Sequence, residues 1–336
     1  MSSLKVAIVG LPNVGKSTLF NALMKRQVAY AANFPFDTIE PNIGIVPVPD
    51  ERLEKLADVI EKDSSASVGM TKRPPLFNAT VQFVDIAGII KGASKGEGLG
   101  NKFLANIRET DAICFCLRAF SDNDVIREGS TNPKDDFEIL KTELDLADME
   151  TIENHSKKKN QDALNLPLFS KKPVLVVLNI DENDLPNANK IEIDYAANLN
   201  IHVNQVIAIS AKIESELSDL NETDQRKYLE DLGVTENGLE RLAKKAFETL
   251  GLITFLTAGE KEVRAWTISK GIDAQNAAGV IHTDFIKKFI KADICKFIDF
   301  VELGGWKGAR EAGKVRSEGR DYVMEDGDVV EFKIGA

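Results

Sequence analysis

The chain has 336 residues, room for about two domains at ~150 residues each, and its ordinary globular composition (43% hydrophobic, 28% charged, 7% aromatic) excludes a disordered or collagen-like polypeptide. A net charge of −11 excludes wholesale electrostatic adhesion to nucleic acid, though not a local basic patch. Three cysteines (Cys114, Cys116, Cys295) are too few for a disulfide framework and point to a reducing compartment.

No apolar run approaches the roughly 18 residues of a membrane span, and the first ten residues, MSSLKVAIVG, read as a strand rather than a signal peptide. The expected location is the cytoplasm, with no membrane partner. In chain order, residues 4–10 (LKVAIVG) predict a buried strand, followed by a glycine-bearing loop and a helix over 17–25. Residues 60–78 are polar and predict a surface loop. Strands are predicted at 79–85, 112–118, 173–179 and 203–210, with helices at 99–109, 136–154, 187–199 and 238–250. Residues 155–172 form a polar, lysine-rich connector. Strands alternating with helices imply an α/β fold with a doubly wound, mostly parallel sheet, whose chemistry gathers at the carboxyl ends of the strands. The character changes near Gly251. Strands at 263–268 and 329–334 and an amphipathic helix at 285–297 predict a small α+β unit, nearly charge-balanced, while the rest of the chain carries most of the negative charge.

Residues 10–17, Gly-Leu-Pro-Asn-Val-Gly-Lys-Ser, fit G-x-x-x-x-G-K-[ST] between a strand and a helix. Glycines let successive N–H groups wrap a polyphosphate at the helix N-terminus. Asn13, Val14, Gly15, Lys16, Ser17 and Thr18 are the expected nucleotide-binding residues. Lys16 is to reach the β- and γ-phosphates, and Ser17 is to bind Mg²⁺. Asp85-Ile86-Ala87-Gly88 ends a strand downstream: Asp85 is expected to hold the metal through water, and the Gly88 N–H to meet the γ-phosphate. Thr38, within NFPFDTIEPN (33–42), stands where a γ-phosphate sensor and further Mg²⁺ ligand is needed, although the same residues suit a plain turn. Lys16, Thr38 and Gly88 are therefore the catalytic candidates. Residues 91–100, with four glycines, suit a second switch.

The fourth predicted strand ends Asn179-Ile180-Asp181-Glu182, where GTPases usually carry Asn-Lys-x-Asp. That Asp accepts from guanine N1 and the 2-amino group. Glu182 is one methylene longer and Ile180 replaces the Lys, so guanine preference weakens and ATP becomes the expected ligand, GTP the weaker one. Ser210-Ala211-Lys212 matches the loop that backs the base. With these residues the chain resembles the YchF/Obg-like ATPase family. The strings GLPNVGKST (10–18), NFPFDTIEPN (33–42), DIAGIIKGASKGEGLGNKFL (85–104), IRETD (107–111), NIDE (179–182), EVRAWTI (262–268), AAGVIHTDF (277–285) and YVMEDGDVVEFK (322–333) carry the resemblance.

The resemblance implies a P-loop nucleotide-binding domain (1–130 and 170–252), a helical, coiled-coil-like insert (131–169) and a C-terminal β-grasp (TGS) domain (253–336). It implies Mg²⁺-dependent ATP hydrolysis as a molecular switch, and association with the ribosome, its 50S subunit or rRNA. Two departures stand out. Family members carry a longer helical insert than residues 149–172 allow here, and a family histidine is replaced by Phe115. At the position where Ras-type enzymes use Gln to orient water the chain has Ile89, followed by Ile90, so slow turnover is expected. In related P-loop GTPases an Asn at the place of Asn13 ligates K⁺, which makes Asn13 a candidate K⁺ ligand as well as a loop stabiliser. Competing readings are an Obg-type GTPase in ribosome assembly and a nucleotide-gated adaptor with negligible turnover. Cys114-Phe115-Cys116 reads as buried strand rather than metal site. Glu138, Glu143 and Asp145 read as a solvated helix face, and His282 as a structural hydrogen-bonder. Lys307, Arg310, Lys314, Arg316 and Arg320, beside Trp306, read either as a solvated basic face or as an rRNA contact.

Overall fold

The computed structural model describes residues 4–33, 42–65, 73–86, 99–121, 132–157 and 166–335. The chain begins with β1 (Lys5–Val9), α1 (Lys16–Asn33) and β2 (Ile43–Val48), followed by α2 (Glu51–Ser65) and β3 (Leu76–Phe77). It continues with β4 (Ala79–Asp85), α3 (Leu99–Arg108), β5 (Ala112–Arg118) and α4 (Pro133–Lys157). Next come β6 (Val174–Asn179), α5 (Ala188–Leu199), β7 (Val206–Ile209), α6 (Ala211–Leu217), α7 (Glu222–Asp231) and α8 (Gly238–Thr249).

Two compact units result: 2–46 with 81–250, and 47–80 with 251–336. The first is built on a sheet of order β2-β4-β1-β5-β6-β7, in which β4, β1, β5, β6 and β7 run parallel. Its central strands are apolar on both faces: every residue of β5 is buried, as are Val6 to Val9. Such a sheet needs helices on either side. α4 seats Phe137, Leu140, Leu144 and Ala147 inward, and Phe115 meets Phe137 edge-to-face at 5.1 Å. Buried Asp148 accepts from the N–H groups of Phe169 and Ser170 at 2.8 and 2.9 Å. Residues 133–148 thus form an outer layer of this unit. Of the expected helical insert, the described residues hold this one α-helix and a 3₁₀ turn at Phe169–Lys171.

The second unit contains β8 (Leu252–Ala258), β9 (Val263–Ser269), α9 (Ala274–Ile281), α10 (Asp284–Lys288), β10 (Phe289–Lys296), α11 (Phe297–Glu302), α12 (Trp306–Glu311), β11 (Arg316–Glu318) and β12 (Asp328–Ile334). Its sheet order is β11-β10-β12-β8-β9-β3. One face carries a core of Phe255, Ile268, Phe289, Ala292, Ile294 and Val330, covered by Ala274, Ala277 and Ala278 of α9. Side chains alternate along a strand, so Leu256, Val263 and Ala265, all buried, point the other way. α2 packs against β8, β9 and β3 on that side, burying Leu53, Leu56, Ala57 and Ile60 at helical spacing.

Three expectations change. The helix expected over 285–297 is only the short α10; residues 289–296 are β10. Its spacing of apolar residues suits either element, and the ladder to β12, from Phe289↔Ile334 to Lys296↔Asp328, decides for strand. The loop expected over 60–78 begins with the last turn and a half of α2 and includes β3. Residues 47–80, assigned from sequence to the nucleotide-binding domain, cluster with the C-terminal unit because α2 supplies the cover its sheet requires.

Candidate functional site

β1 lies between β4 and β5, so its carboxyl end opens at the centre of the sheet edge. The loop 10–15 leaves β1 under tight constraints. At Gly10 an added Cβ would lie 2.7 Å from the Cys116 carbonyl oxygen. Gly15 has φ +90°, and its added Cβ would collide with Asn179 Nδ2 at 2.1 Å. Asn13 also takes a left-handed conformation, φ 61°. The loop thus folds back over the end of β1 in a form that side chains at 10 and 15 would forbid. α1 starts at Lys16, and the Leu19 N–H donates to the Gly15 carbonyl at 2.9 Å.

Lys16 is buried and its Nζ ion-pairs with the Asp85 carboxylate at the end of β4. Ser17 and Thr18 are exposed on the first turn of α1; Val14 is buried. Asn179, buried at the end of β6, holds two loops. Its Nδ2 donates to the Val14 carbonyl at 2.9 Å, and its Oδ1 accepts from the Ala211 N–H at 2.9 Å. Ser210 is buried at the end of β7, Ala211 is buried at the head of α6, and Lys212 is exposed. Ile180 is buried, donating its N–H to Ile209 O at 2.9 Å. Glu182 opens a 3₁₀ turn, Glu182–Asn187, half-exposed. The structure therefore gathers Val14, Gly15, Lys16, Asp85, Asn179 and Ala211. Thr38, Gly88, Ile89 and the stretch 91–98 lie outside the described residues.

Sequence reasoning missed two supporting groups, Asp181 and Glu214, and read a third, Cys116, only as part of a buried strand. Asp181 accepts from both the N–H and Oγ of Ser121, at 2.9 and 3.0 Å, joining the loops after β5 and β6. Its place inside Asn-x-x-Glu was the available signal. Cys116 lies beneath the phosphate loop, and burial pushes its thiol up to about 12, so it is inert. Glu214, one turn along α6, accepts from the Gly238 N–H at 2.9 Å. Burial pushes its carboxyl up to about 7 against the lowering effect of those N–H groups and Arg26. Nothing local in sequence marks it.

The C-terminal basic group is less free than its spacing suggests. Arg310 pairs with Glu331 at 2.7 Å, Lys314 with Asp299 at 3.2 Å, and Arg316 with Glu318 at 3.5 Å and the Tyr322 hydroxyl at 3.0 Å. Trp306 packs edge-to-face on Phe300 at 5.2 Å. His282 Nδ1 accepts from the Asp284 N–H at 3.2 Å, the structural role expected for it.

A strand, a phosphate-shaped loop, a helix with Lys at its head and an acid ending the neighbouring strand define a P-loop nucleoside-triphosphatase. A family model described as 50S ribosome-binding GTPase matches residues 5–180. A C-terminal-domain model of the YchF GTPases, described as of unknown function, matches 252–335. The chain is 44% identical to the ribosome-binding ATPase YchF of Bacillus subtilis, over 98% of this chain and 99% of that protein. It is 42% identical to the ribosome-binding ATPase YchF of Haemophilus influenzae, over 98% of both. The solved YchF GTPase of Schizosaccharomyces pombe superposes with a TM-score of 0.81 at 32% identity, covering 99% of this chain and 98% of that one. The chain belongs to the YchF family. The Bacillus subtilis alignment spans 377 residues against 336 here, so that relative carries residues with no counterpart in this chain. Among the described residues no helix is long and apolar enough to cross a membrane.

Proposed function

We propose that this protein is an Mg²⁺-dependent ATPase that acts as a nucleotide switch on the ribosome, in the cytoplasm. The observation that carries this is the meeting of Lys16 and Asp85 at a loop that Asn179 ties down beside Gly15. The relatives' names support the ribosome and the preference for ATP. The residues of the Bacillus subtilis relative without a counterpart here are assigned to the helical arm.

The site suits Mg²⁺. The Ser17 hydroxyl and the Asp85 carboxylate are hard oxygen donors, and Asp85 lies within reach of the lysine that meets phosphate. Mg²⁺ takes few protein oxygens, keeping waters and substrate phosphates as its other ligands. Held there by Ser17 and, through water, by Asp85, the ion would supply neutralisation of the polyphosphate's charge. The protein does the rest by positioning. Loop N–H groups and the head of α1 hold the polyphosphate, Lys16 places its ammonium on the transferring group, and Thr38 and the Gly88 N–H are assigned to the γ-phosphate. With Ile89 in the water-orienting position, intrinsic turnover is slow. Asn13 is proposed as a K⁺ ligand beside the phosphates, and equal hydrolysis rates in potassium and sodium buffers remove that assignment.

Asn179, Ile180, Glu182, Ser210, Ala211 and Lys212 are assigned to the base. Adenine has no N1–H or 2-amino group to satisfy an aspartate at 182, and Glu182 does not reproduce that paired geometry. Ile180→Lys with Glu182→Asp is expected to shift preference toward GTP about tenfold, a difference of ~1.4 kcal/mol, measured by competition calorimetry. GTP binding more tightly than ATP in the native chain replaces this reading with an Obg-type GTPase.

A further inference from the structure

α4 has an outer face that the packing of the nucleotide unit does not use. Its inner side seats Phe137, Leu140, Leu144 and Ala147 in the core. Leu146, Met149 and Ile152 stand on the other side, 44%, 65% and 45% exposed. Residues three apart on a helix are surface neighbours, so these side chains form one continuous apolar stripe. Among the described residues the other exposed large apolar side chains are Ile193, Leu220, Ile290, Ile298 and Val323, and no two of them share a helix or a strand.

The charge beside the stripe has one sign. Asp145, Glu150 and Glu153 are exposed and Glu143 is half-exposed, while residues 143–154 contain no Lys or Arg. Arg108 reaches this part of α4, but it bonds Thr151 Oγ1 at 2.9 Å, one turn beyond Ala147 on the inner side. The hydroxyls of Thr142 and Ser156 turn back onto the Glu138 and Ile152 carbonyls at 2.7 and 2.9 Å. Carboxylates are thus the polar groups that border the stripe. We infer that this face docks a lysine- and arginine-rich amphipathic helix of a ribosomal protein, an inference that rests on the ribosome reading above. A ribosome offers two chemistries, RNA phosphate and basic protein. Carboxylates repel phosphate, and they attract and orient ammonium and guanidinium groups. A second copy of this chain would set the same carboxylates against each other. The i, i+3 spacing of the stripe suits ridge packing against another helix. The partner's apolar side chains cover Leu146, Met149 and Ile152, and its basic residues flank them against Asp145, Glu150 and Glu153. Apolar burial holds the contact, and charge selects the partner.

The test measures co-sedimentation of the full chain with purified ribosomes, with a non-hydrolysable ATP analogue and Mg²⁺, against two paired variants. Leu146→Gln with Met149→Gln removes apolar surface at exposed positions and keeps the charge. Affinity is expected to fall about tenfold. Asp145→Lys with Glu150→Lys keeps the stripe and reverses the charge. Affinity is expected to fall by a similar factor, more at low salt than at high. A synthetic amphipathic peptide of Leu and Lys is expected to slow hydrogen–deuterium exchange over residues 142–153 of the native chain and of neither variant. Native ribosome affinity in either variant overturns the contact and leaves ribosome association standing. Tighter binding by the charge-reversed variant assigns the face to RNA and also overturns it. A native chain that does not sediment with ribosomes overturns both readings.

Discussion

The phosphate loop and the C-terminal sheet are assembled in opposite ways. The loop is one unbroken string, residues 10–17, and its two most demanding positions are glycines required by contacts with Cys116 and Asn179. The C-terminal sheet borrows part of a layer: Leu256, Val263 and Ala265 are buried on the face where α2, from far earlier in the chain, packs beside α11. A contiguous site tolerates description by motif. A borrowed layer does not, and the match of a family model to 252–335 therefore marks a unit of sequence rather than a unit of packing.

The contrast breaks most readily at α2. Leu56 is fully buried, so Leu56→Ala is expected to cost about 2–5 kcal/mol, read by urea denaturation with a probe on Trp266 or Trp306. A neutral result means the C-terminal sheet does not depend on residues 47–80. Lys16→Ala should do the reverse: nucleotide binding weakens about a hundredfold, the worth of lost charge-assisted hydrogen bonds, while the melting temperature barely moves. A collapse in stability instead would make the Lys16–Asp85 pair a structural strut.

The smallest effect concerns the buried acid one turn along α6. Glu214 has its folded pKa raised to about 7, so the native state keeps its proton where the unfolded chain has released it. Its contribution is therefore greatest at low pH and declines as pH rises from the ordinary carboxylate range toward 7. Glu214→Gln keeps an acceptor for the Gly238 N–H and should flatten the stability profile between about pH 4.5 and 7. An unchanged profile in the variant assigns the slope elsewhere.

Much of the nucleotide unit was legible. The strands at 79–85 and 112–118 coincide with β4 and β5, since both are short apolar runs closed by a charged residue and buried wherever the sheet places them. Asn179 was legible as a motif residue, but not its double hold on Val14 and Ala211, which needs three distant loops in one place. β2 and α2 went unread: Ile43–Val48 contains Gly44 and Pro47, and the end of α2 shades into a polar stretch. The basic run at 307–320 carries its charge in sequence, while Glu331, Asp299 and Glu318 meet it only after folding.

The order of residues alone determined the phosphate loop, the departures Ile180 and Glu182 from the Asn-Lys-x-Asp pattern, and the alternation that demands a parallel sheet. These depend on neighbours in the chain: backbone freedom at a glycine, the length of one side chain, the period of apolar residues. Tertiary structure alone decided that 289–296 is a strand, that Asp181 and Glu214 are buttresses, and that residues 47–80 serve the C-terminal unit. Each of those turns on a partner far away in sequence, and local propensity cannot register a contact that only the folded chain creates.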